Sequence, residues 1–521
     1  MNYIKYYIWN ITKLTTNTLI YIKLFINCIQ SDYIIDNNLN IIWLYNIMPF
    51  IAEITFIYIF ILLFIYSLFN KLCELDCILA YTTILYIIIL QYKKSFNICN
   101  EIANELWYNN IASINIKIFI LIIIFIILII MYLLKTDEIL LNFDNLSLIF
   151  LCIIGILILI TANNLFIIYL GIELQSLALY ILCSLKKYSN KSLEAGFKYY
   201  LYGSFSSAIL LFGISLIYGL FGSLDLNDVY LLINITNYNL ELYIILQIAL
   251  TCILIGFLFK LAVFPFHWWL ADIYEGTADI ITFFLAAVPK LPFFYVLTNL
   301  YINIFSKYAF YSYILTYCAM GSIIIGTILA LYEIKFKKLL AYSSIVHIGY
   351  VIMALATNTK IGLIVSFYYF FIYIIITLFI FSIYLVIRIS NNKTIRNITD
   401  LVYLKNNNKW LALITIVALL SLAGIPPLMG FYGKLYVFYT LIENGSYFIC
   451  LLLLLLSILS CVYYIRLIRF IFFDDKLYQP MIFIKRQSTY IYMIISALFL
   501  INISFLFFQE PLLIHLILLF L

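Results

Sequence analysis

Apolar runs of roughly 20 residues recur from Pro49 to the C-terminus, and each is long enough to cross about 30 Å of hydrocarbon as a helix. Lipid offers the backbone no hydrogen-bond partner, so segments of this kind must satisfy their own amides, which makes them helical. The chain is 66% hydrophobic and only 10% charged, whereas soluble domains carry about 25% charged residues. The pattern therefore predicts an all-α polytopic membrane protein. About 14 spans can be placed, at about 48–69, 77–92, 115–134, 145–162, 165–185, 198–222, 242–262, 281–304, 310–331, 343–357, 361–387, 410–430, 447–472 and 489–519. Two further segments, near Phe266 and Tyr436, extend broken helices. Residues 1–40, interrupted by Lys5, Lys13 and Lys23, read as an interfacial or accessory helix.

Loop charge supports this count. Odd-numbered loops hold most of the basic residues, among them Lys186, Lys187, Lys191, Lys335, Lys337, Lys338, Arg388, Lys393 and Arg396. Even-numbered loops hold only Lys93, Lys94, Lys117, Lys307 and Lys360. A miscounted span would scramble that asymmetry. The positive-inside rule places the odd loops on the cytoplasmic or matrix side. The net charge of +6 needs no nucleic acid to explain it.

Four charged residues lie inside apolar stretches: Glu173, Lys260, Lys290 and Lys434. Each costs a few kcal/mol to insert, and the common use of such residues is an ion or proton path. Apolar surroundings penalise the charged form of an amine, and a nearby carboxylate favours it. A Lys–Glu pair that tightens and loosens is thus a proton-loading switch, and Glu173 is the obvious partner for Lys260. Lys290 is placed to pass a proton laterally, and Lys434 to serve as the exit-side site. The alternative for each lysine is that it snorkels to an interface and carries only its charge there.

Five of the eight prolines fall in two clusters beside these lysines: Pro265, Pro289 and Pro292, then Pro426 and Pro427. Gly256 accompanies the first cluster, and Gly424, Gly430 and Gly433 the second. Proline removes a backbone donor and breaks a helix. Paired breaks in two halves of a membrane chain point to a transporter built from repeats. Spans 4–8 and 9–13 then form two half-channels.

His267 follows the first break and His347 lies in span 10. Both are candidate proton relays, because imidazole titrates near neutrality through two distinct nitrogens; both are equally readable as satisfied buried groups. Lys198 opens span 6 and by position alone is a loop-edge lysine. The ten cysteines are scattered and mostly within spans, where a free thiol acts as a small hydrophobe. Cys73 and Cys77 share a helix face without the His or second Cys pair of a metal site. Met1-Asn-Tyr-Ile-Lys lacks Arg and a clear cleavage site, unlike a signal or transit peptide. Heavy use of Ile, Asn, Tyr, Phe and Lys reads as an A/T-biased genome, of organellar kind.

Four ordered stretches carry a family resemblance. They are Gly171-Ile-Glu-Leu-Gln-Ser-Leu-Ala-Leu-Tyr180, Gly256-Phe-Leu-Phe-Lys-Leu-Ala-Val-Phe-Pro-Phe-His-Trp-Trp-Leu-Ala-Asp-Ile-Tyr-Glu-Gly276, Lys338-Leu-Leu-Ala-Tyr-Ser-Ser-Ile-Val-His-Ile-Gly-Tyr350 and Ser421-Leu-Ala-Gly-Ile-Pro-Pro-Leu-Met-Gly-Phe-Tyr-Gly-Lys434. Together they resemble the antiporter-like membrane subunits of respiratory complex I, within them the subunit 2 group. The resemblance runs from about residue 140 to 472, and weakly from Pro49. It implies two inverted repeats with helices 7 and 12 broken, and proton translocation coupled to quinone reduction elsewhere. It assigns the proton path to Glu173, Lys198, Lys260, His267, Lys290 and Lys434, and His347 joins that path as a candidate relay. It implies no cofactor in this chain, with NADH, FMN, iron–sulfur clusters and ubiquinone held by other subunits. Implied partners are subunit 4L, the antiporter-like subunit 4, accessory subunits and lipids such as cardiolipin, in the mitochondrial inner membrane. Thr277-Ala-Asp279 departs from the family's usual Ala-Pro-Thr-type segment.

The expected organisation is an N-terminal extension over 1–47 and spans 1–3 over 48–134. The first half-channel follows at 135–305, the second at 306–472, and the last loop and span at 473–521. Two rivals remain: a free-standing cation/proton antiporter, separated by whether the chain is obligately assembled, and a structural spacer, separated by whether its lysines matter for pumping.

Overall fold

The computed structural model describes residues 51–69, 82–92, 101–103, 107–134, 143–186, 189–236, 240–389, 393–473 and 489–520. The expected extension over 1–47 and the Cys73–Cys77 pair lie outside the described residues.

All fourteen expected spans are helices. Spans 1 and 2 are Ile51–Phe69 and Thr82–Tyr92. Span 3 is Ile111–Leu134, span 4 Phe143–Thr161, span 5 Leu165–Cys183 and span 6 Asn190–Phe221. Span 7 is two half-helices, 7a (Leu240–Lys260) and 7b (Trp268–Gly276), and span 8 is Asp279–Ala287 followed by Lys290–Asn303. Spans 9, 10 and 11 are Ala309–Tyr332, Phe336–Ala356 and Lys360–Val386. Span 12 divides into 12a (Lys409–Ala423) and 12b (Met429–Glu443), span 13 is Tyr447–Phe472 and span 14 Thr489–Phe520. Spans 8, 10 and 11 are almost wholly enclosed, whereas spans 6, 13 and 14 form the rim.

The loops sort by parity, as a correct count requires. On one face, Leu165 N–H bonds Leu224 O, Asn164 Nδ2 donates to Asp225 at 2.6 Å, and Trp107 of a short hairpin (Glu101–Ala103 with Trp107–Asn109) bridges Ala162. Lys307 reaches Tyr230 O, Asn358 reaches Ser306 O, and Asn444 reaches Thr357 O on that face. Every one of these contacts joins even-numbered loops. On the other face, Phe336 N–H bonds Arg396 O, Ile398 N–H bonds Ile334 O, and Lys405 reaches Phe472 O. Those join odd-numbered loops.

The two breaks share a backbone design. Half-helix 7a ends with Ala262 at φ 57°, and Val263 N–H returns to Leu258 O. Half-helix 12a ends with Gly424 at φ 83°, and Ile425 N–H returns to Leu420 O. Both are left-handed terminations in which an amide reaches back five residues to satisfy a terminal carbonyl. A proline follows three positions later in each, Pro265 and Pro427, both after cis peptides. The repeat is thus visible in backbone geometry although the two sequences share little.

Candidate functional site

Lys260 is the last residue of 7a, and its direction is set by aromatic packing around the break. Trp269, in the first turn of 7b, donates its indole N–H to Phe259 O at 3.2 Å. Its ring stacks between Phe259 (5.8 Å) and Tyr199 (5.2 Å). Lys260 Nζ then donates to Tyr180 Oη of span 5 at 3.3 Å. A Cβ at Gly203 of span 6 would lie 2.0 Å from that hydroxyl, so only glycine leaves room for it there.

Glu173 acts on Lys260 through its charge at longer range, while the hydrogen bond of the ammonium goes to this tyrosine. Tyr180 lies seven residues after Glu173, on the same face of span 5 and about 10 Å further along the axis. No ion pair joins Glu173 to Lys260, and Glu173 Oε1 is buried without a hydrogen-bond partner. His267, at the start of 7b, is buried beside Phe264, with Nδ1 also lacking a partner.

Lys290 and His347 occupy the enclosed centre. Lys290 opens the second part of span 8 after Pro289, and its Nζ donates to Ser344 Oγ of span 10 at 3.1 Å. The ring faces of Tyr274 and Tyr373 lie 5.7 and 5.9 Å from the ammonium, within cation–π range. One helical turn beyond Ser344, His347 Nδ1 meets Tyr369 Oη at 2.8 Å and Nε2 meets Tyr464 Oη at 3.2 Å. Its ring stacks on Tyr373 at 5.4 Å.

Lys434 sits five residues into 12b. Its Nζ donates to Ala423 O at 2.7 Å, a carbonyl released by the end of 12a, and to Ser460 Oγ at 3.4 Å. Tyr350 lies beneath the ammonium at 5.7 Å and contacts Tyr369, centroid to centroid, at 6.0 Å. Lys290, Tyr373, His347, Tyr369, Tyr350 and Lys434 therefore form a buried file of ring contacts, in which the link from His347 to Tyr369 is a hydrogen bond. Hydroxyls and imidazole both donate and accept hydrogen bonds, the property a proton relay requires.

Lys198 stands apart from that file. It is half-exposed and pairs with Glu194 (2.7 Å) and Asp272 (3.3 Å). It belongs to an ion-pair cluster on the odd-loop face, in which Asp272 also takes Lys338, and Glu275 takes Lys191, Lys335 and Lys338.

Two further buried charges, Lys117 and Glu53, escape the sequence reading. It placed Lys117 on an even loop, but span 3 begins at Ile111 and encloses Lys117 completely. The ammonium pairs with Glu53 of span 1 and donates to Asn109 Oδ1 at 2.9 Å. Gln91 of span 2 donates to the same carboxylate at 2.9 Å. Glu53 in the first turn of an apolar run was the available signal.

Two broken helices, each with a lysine at or near the break, and a buried polar file between them define a multi-pass membrane protein of antiporter-like construction. Residues 162–460 match the family described as NADH:quinone oxidoreductase/Mrp antiporter, transmembrane. The chain belongs to that family, as an antiporter-like membrane subunit of the complex I type. NADH-quinone oxidoreductase subunit N of Pelagibacter ubique is 38% identical over 330 residues, covering 63% of this chain and 69% of that protein. NADH-ubiquinone oxidoreductase chain 2 of Marchantia polymorpha is 37% identical over 351 residues, covering 65% and 70%. Among solved structures, a chain of respiratory complex I from Thermus thermophilus superposes with TM-score 0.73 at 23% identity over 89% of this chain and 98% of that one. A chain of the Mrp complex from Dietzia does so with TM-score 0.74 at 16% identity, covering 90% and 96%; at these identities the likeness is one of fold.

Proposed function

We propose that the chain translocates protons as a membrane subunit of NADH:ubiquinone oxidoreductase, in the mitochondrial inner membrane. In this reading it carries no redox centre, and NADH, FMN, iron–sulfur clusters and ubiquinone are bound by other subunits. Its neighbours are subunit 4L, the antiporter-like subunit 4, accessory subunits and lipids such as cardiolipin. The half-channels are residues 135–305 and 306–472.

The observation that carries this reading is the buried file from Lys290 through His347 to Lys434, ending on a carbonyl freed by a helix break. Glu173, Tyr180 and Lys260 load the file, with His267 beside the first break. A proton leaving Lys290 passes by way of His347 to Lys434 as the next lysine empties. Lys198 acts from the odd-loop face by holding 7b through Asp272. In sealed vesicles containing the assembled complex, Lys260→Ala or Lys290→Met lowers the number of protons pumped per electron. Unchanged pumping in fully assembled variants sinks the assignment.

A further inference from the structure

We propose that the wide cavity on the odd-loop face binds an anion carrying two phosphates, held between the lysines that open spans 6 and 10 and the guanidinium of Arg396. This goes beyond the pumping reading above and does not depend on it.

The cavity has a volume of about 430 Å³, within the range of about 300–1,000 Å³ in which small-molecule sites fall. Four separate segments meet in its wall. The approach to span 6 supplies Lys186 and Lys191, and the start of span 10 supplies Lys335 and Lys337. The loop between spans 11 and 12 supplies Arg396, and the turn between 7b and span 8 supplies Glu275 and Asp279. Five cations thus face two carboxylates. The positive-inside rule asks only that basic residues lie on one side of the membrane; it does not gather them from three loops around one space.

Both carboxylates are already engaged. Glu275 takes Lys191 at 3.0 Å, Lys335 at 2.6 Å and Lys338 at 3.4 Å. Asp279 takes Lys337, which also donates to Thr277 O at 2.8 Å, and the hydroxyl of Tyr384. These bonds leave donors over. An ammonium has three hydrogens to give and a guanidinium five. Lys191 and Lys335 keep 67% and 46% of their side-chain surface exposed. Arg396 is exposed, and its guanidinium makes no hydrogen bond or ion pair among the described residues. Ser189, in the same wall, precedes span 6 without capping it, so its hydroxyl is a further donor.

The charge selects the ligand. The wall holds an excess of three positive charges, of which a carboxylate would offset one. A phosphoryl group carries about −1.5 to −2 at neutral pH and presents three acceptor oxygens. Two linked phosphates therefore match the excess and offer oxygens to Lys186, Lys191, Lys335 and Arg396 together. The planar fork of Arg396 suits bidentate contact with one of them. A lipid headgroup bearing two phosphates and a soluble diphosphate present this same chemistry. Either would tie the lysines before span 6 to those before span 10, beside the carboxylate of 7b that already holds both.

The test uses the assembled complex in inside-out vesicles, with the odd-loop face outward. Lysines are acetylated with a water-soluble reagent, with and without inorganic pyrophosphate at matched ionic strength, and each site is read by peptide mass spectrometry. Lys409, exposed on the same face outside the cavity, is the control. Pyrophosphate is expected to slow acetylation of Lys186, Lys191 and Lys335 severalfold and to leave Lys409 unchanged. Arg396→Gln removes no contact within the chain and should abolish that protection with the complex intact on native gels. The same experiment on complex stripped of lipid by detergent separates the sources. If lipid is the occupant, stripping alone speeds acetylation of the three lysines and pyrophosphate then slows it again. If a soluble diphosphate is the occupant, stripping changes nothing and pyrophosphate protects in both preparations. Protection in neither preparation, equal slowing at Lys409, or full protection in Arg396→Gln overturns the site.

Discussion

Replacing Glu53 with alanine strips Lys117 of the one carboxylate that pairs with it among the described residues, while the ammonium stays fully enclosed. The side chain of Lys117 has no exposed surface and that of Glu53 has 11%. What remains for Lys117 is the amide oxygen of Asn109, and Gln91 loses its acceptor as well. Removing one partner of a buried ion pair costs about 3–5 kcal/mol. The lower figure corresponds to an increase of about a hundredfold in the opened population. Limited proteolysis of the isolated complex near spans 1–3 reads this directly, since cleavage follows the open fraction when opening is fast. Glu53→Ala and Lys117→Ala should both be cleaved about a hundredfold faster at low protease. The double variant Glu53→Leu/Lys117→Met removes both charges and should recover most of the loss, because well-packed apolar replacements of buried pairs are often neutral or stabilising. Wild-type cleavage of Glu53→Ala refutes the argument, as does a double variant that opens as readily as the single ones.

Gly433→Ala places a methyl 2.2 Å from the Tyr369 ring, an overpacking of about 1–3 kcal/mol. It should pull Tyr369 from His347 and reduce pumping more than assembly, compared by proton uptake and native gels. Arg466 donates to Leu331 O at 2.6 Å and Glu333 O at 2.8 Å, closing the end of span 9 from span 13. Arg466→Met should cost about 3 kcal/mol, given about 1.5–3 for each charged hydrogen bond, and lower the temperature at which the complex dissociates. Ala262 holds a left-handed conformation that costs an L-residue about 1–2 kcal/mol. Ala262→Gly should therefore raise thermal stability or leave it unchanged; a clear drop would contradict the strain assigned there.

Helices and breaks were legible because each follows from local chemistry. A run such as Ile118–Met131 has no other way to satisfy its backbone in lipid, and Pro265 or Pro427 removes a donor wherever it sits. Partner choice was harder to read, since it depends on which faces of distant helices meet. Glu173 and Lys260 looked paired because they are opposite charges, each inside an apolar span. Tyr180, two turns further on, intervenes because Gly203 leaves it space, and no spacing rule contains that fact. Lys117 looked like a loop residue because one charge near the start of an apolar run resembles a boundary. Its burial depends on Glu53 and Gln91, more than 25 residues away. The tyrosines of the central file were hidden by abundance: with 47 in the chain, composition alone could not single out Tyr369 or Tyr373.

Half-helix 7b is tethered on two sides. Asp272 takes Lys198 from span 6 and Lys338 from span 10, and Glu275 takes Lys191 from the first half and Lys335 from the second. A tilt of this short rod toward either half shortens one set of tethers and stretches the other. Its opposite end carries Trp269, which sets where Lys260 points. The two halves are therefore geared through one pivot, and an impulse arriving at either is felt at the lysine of the first break.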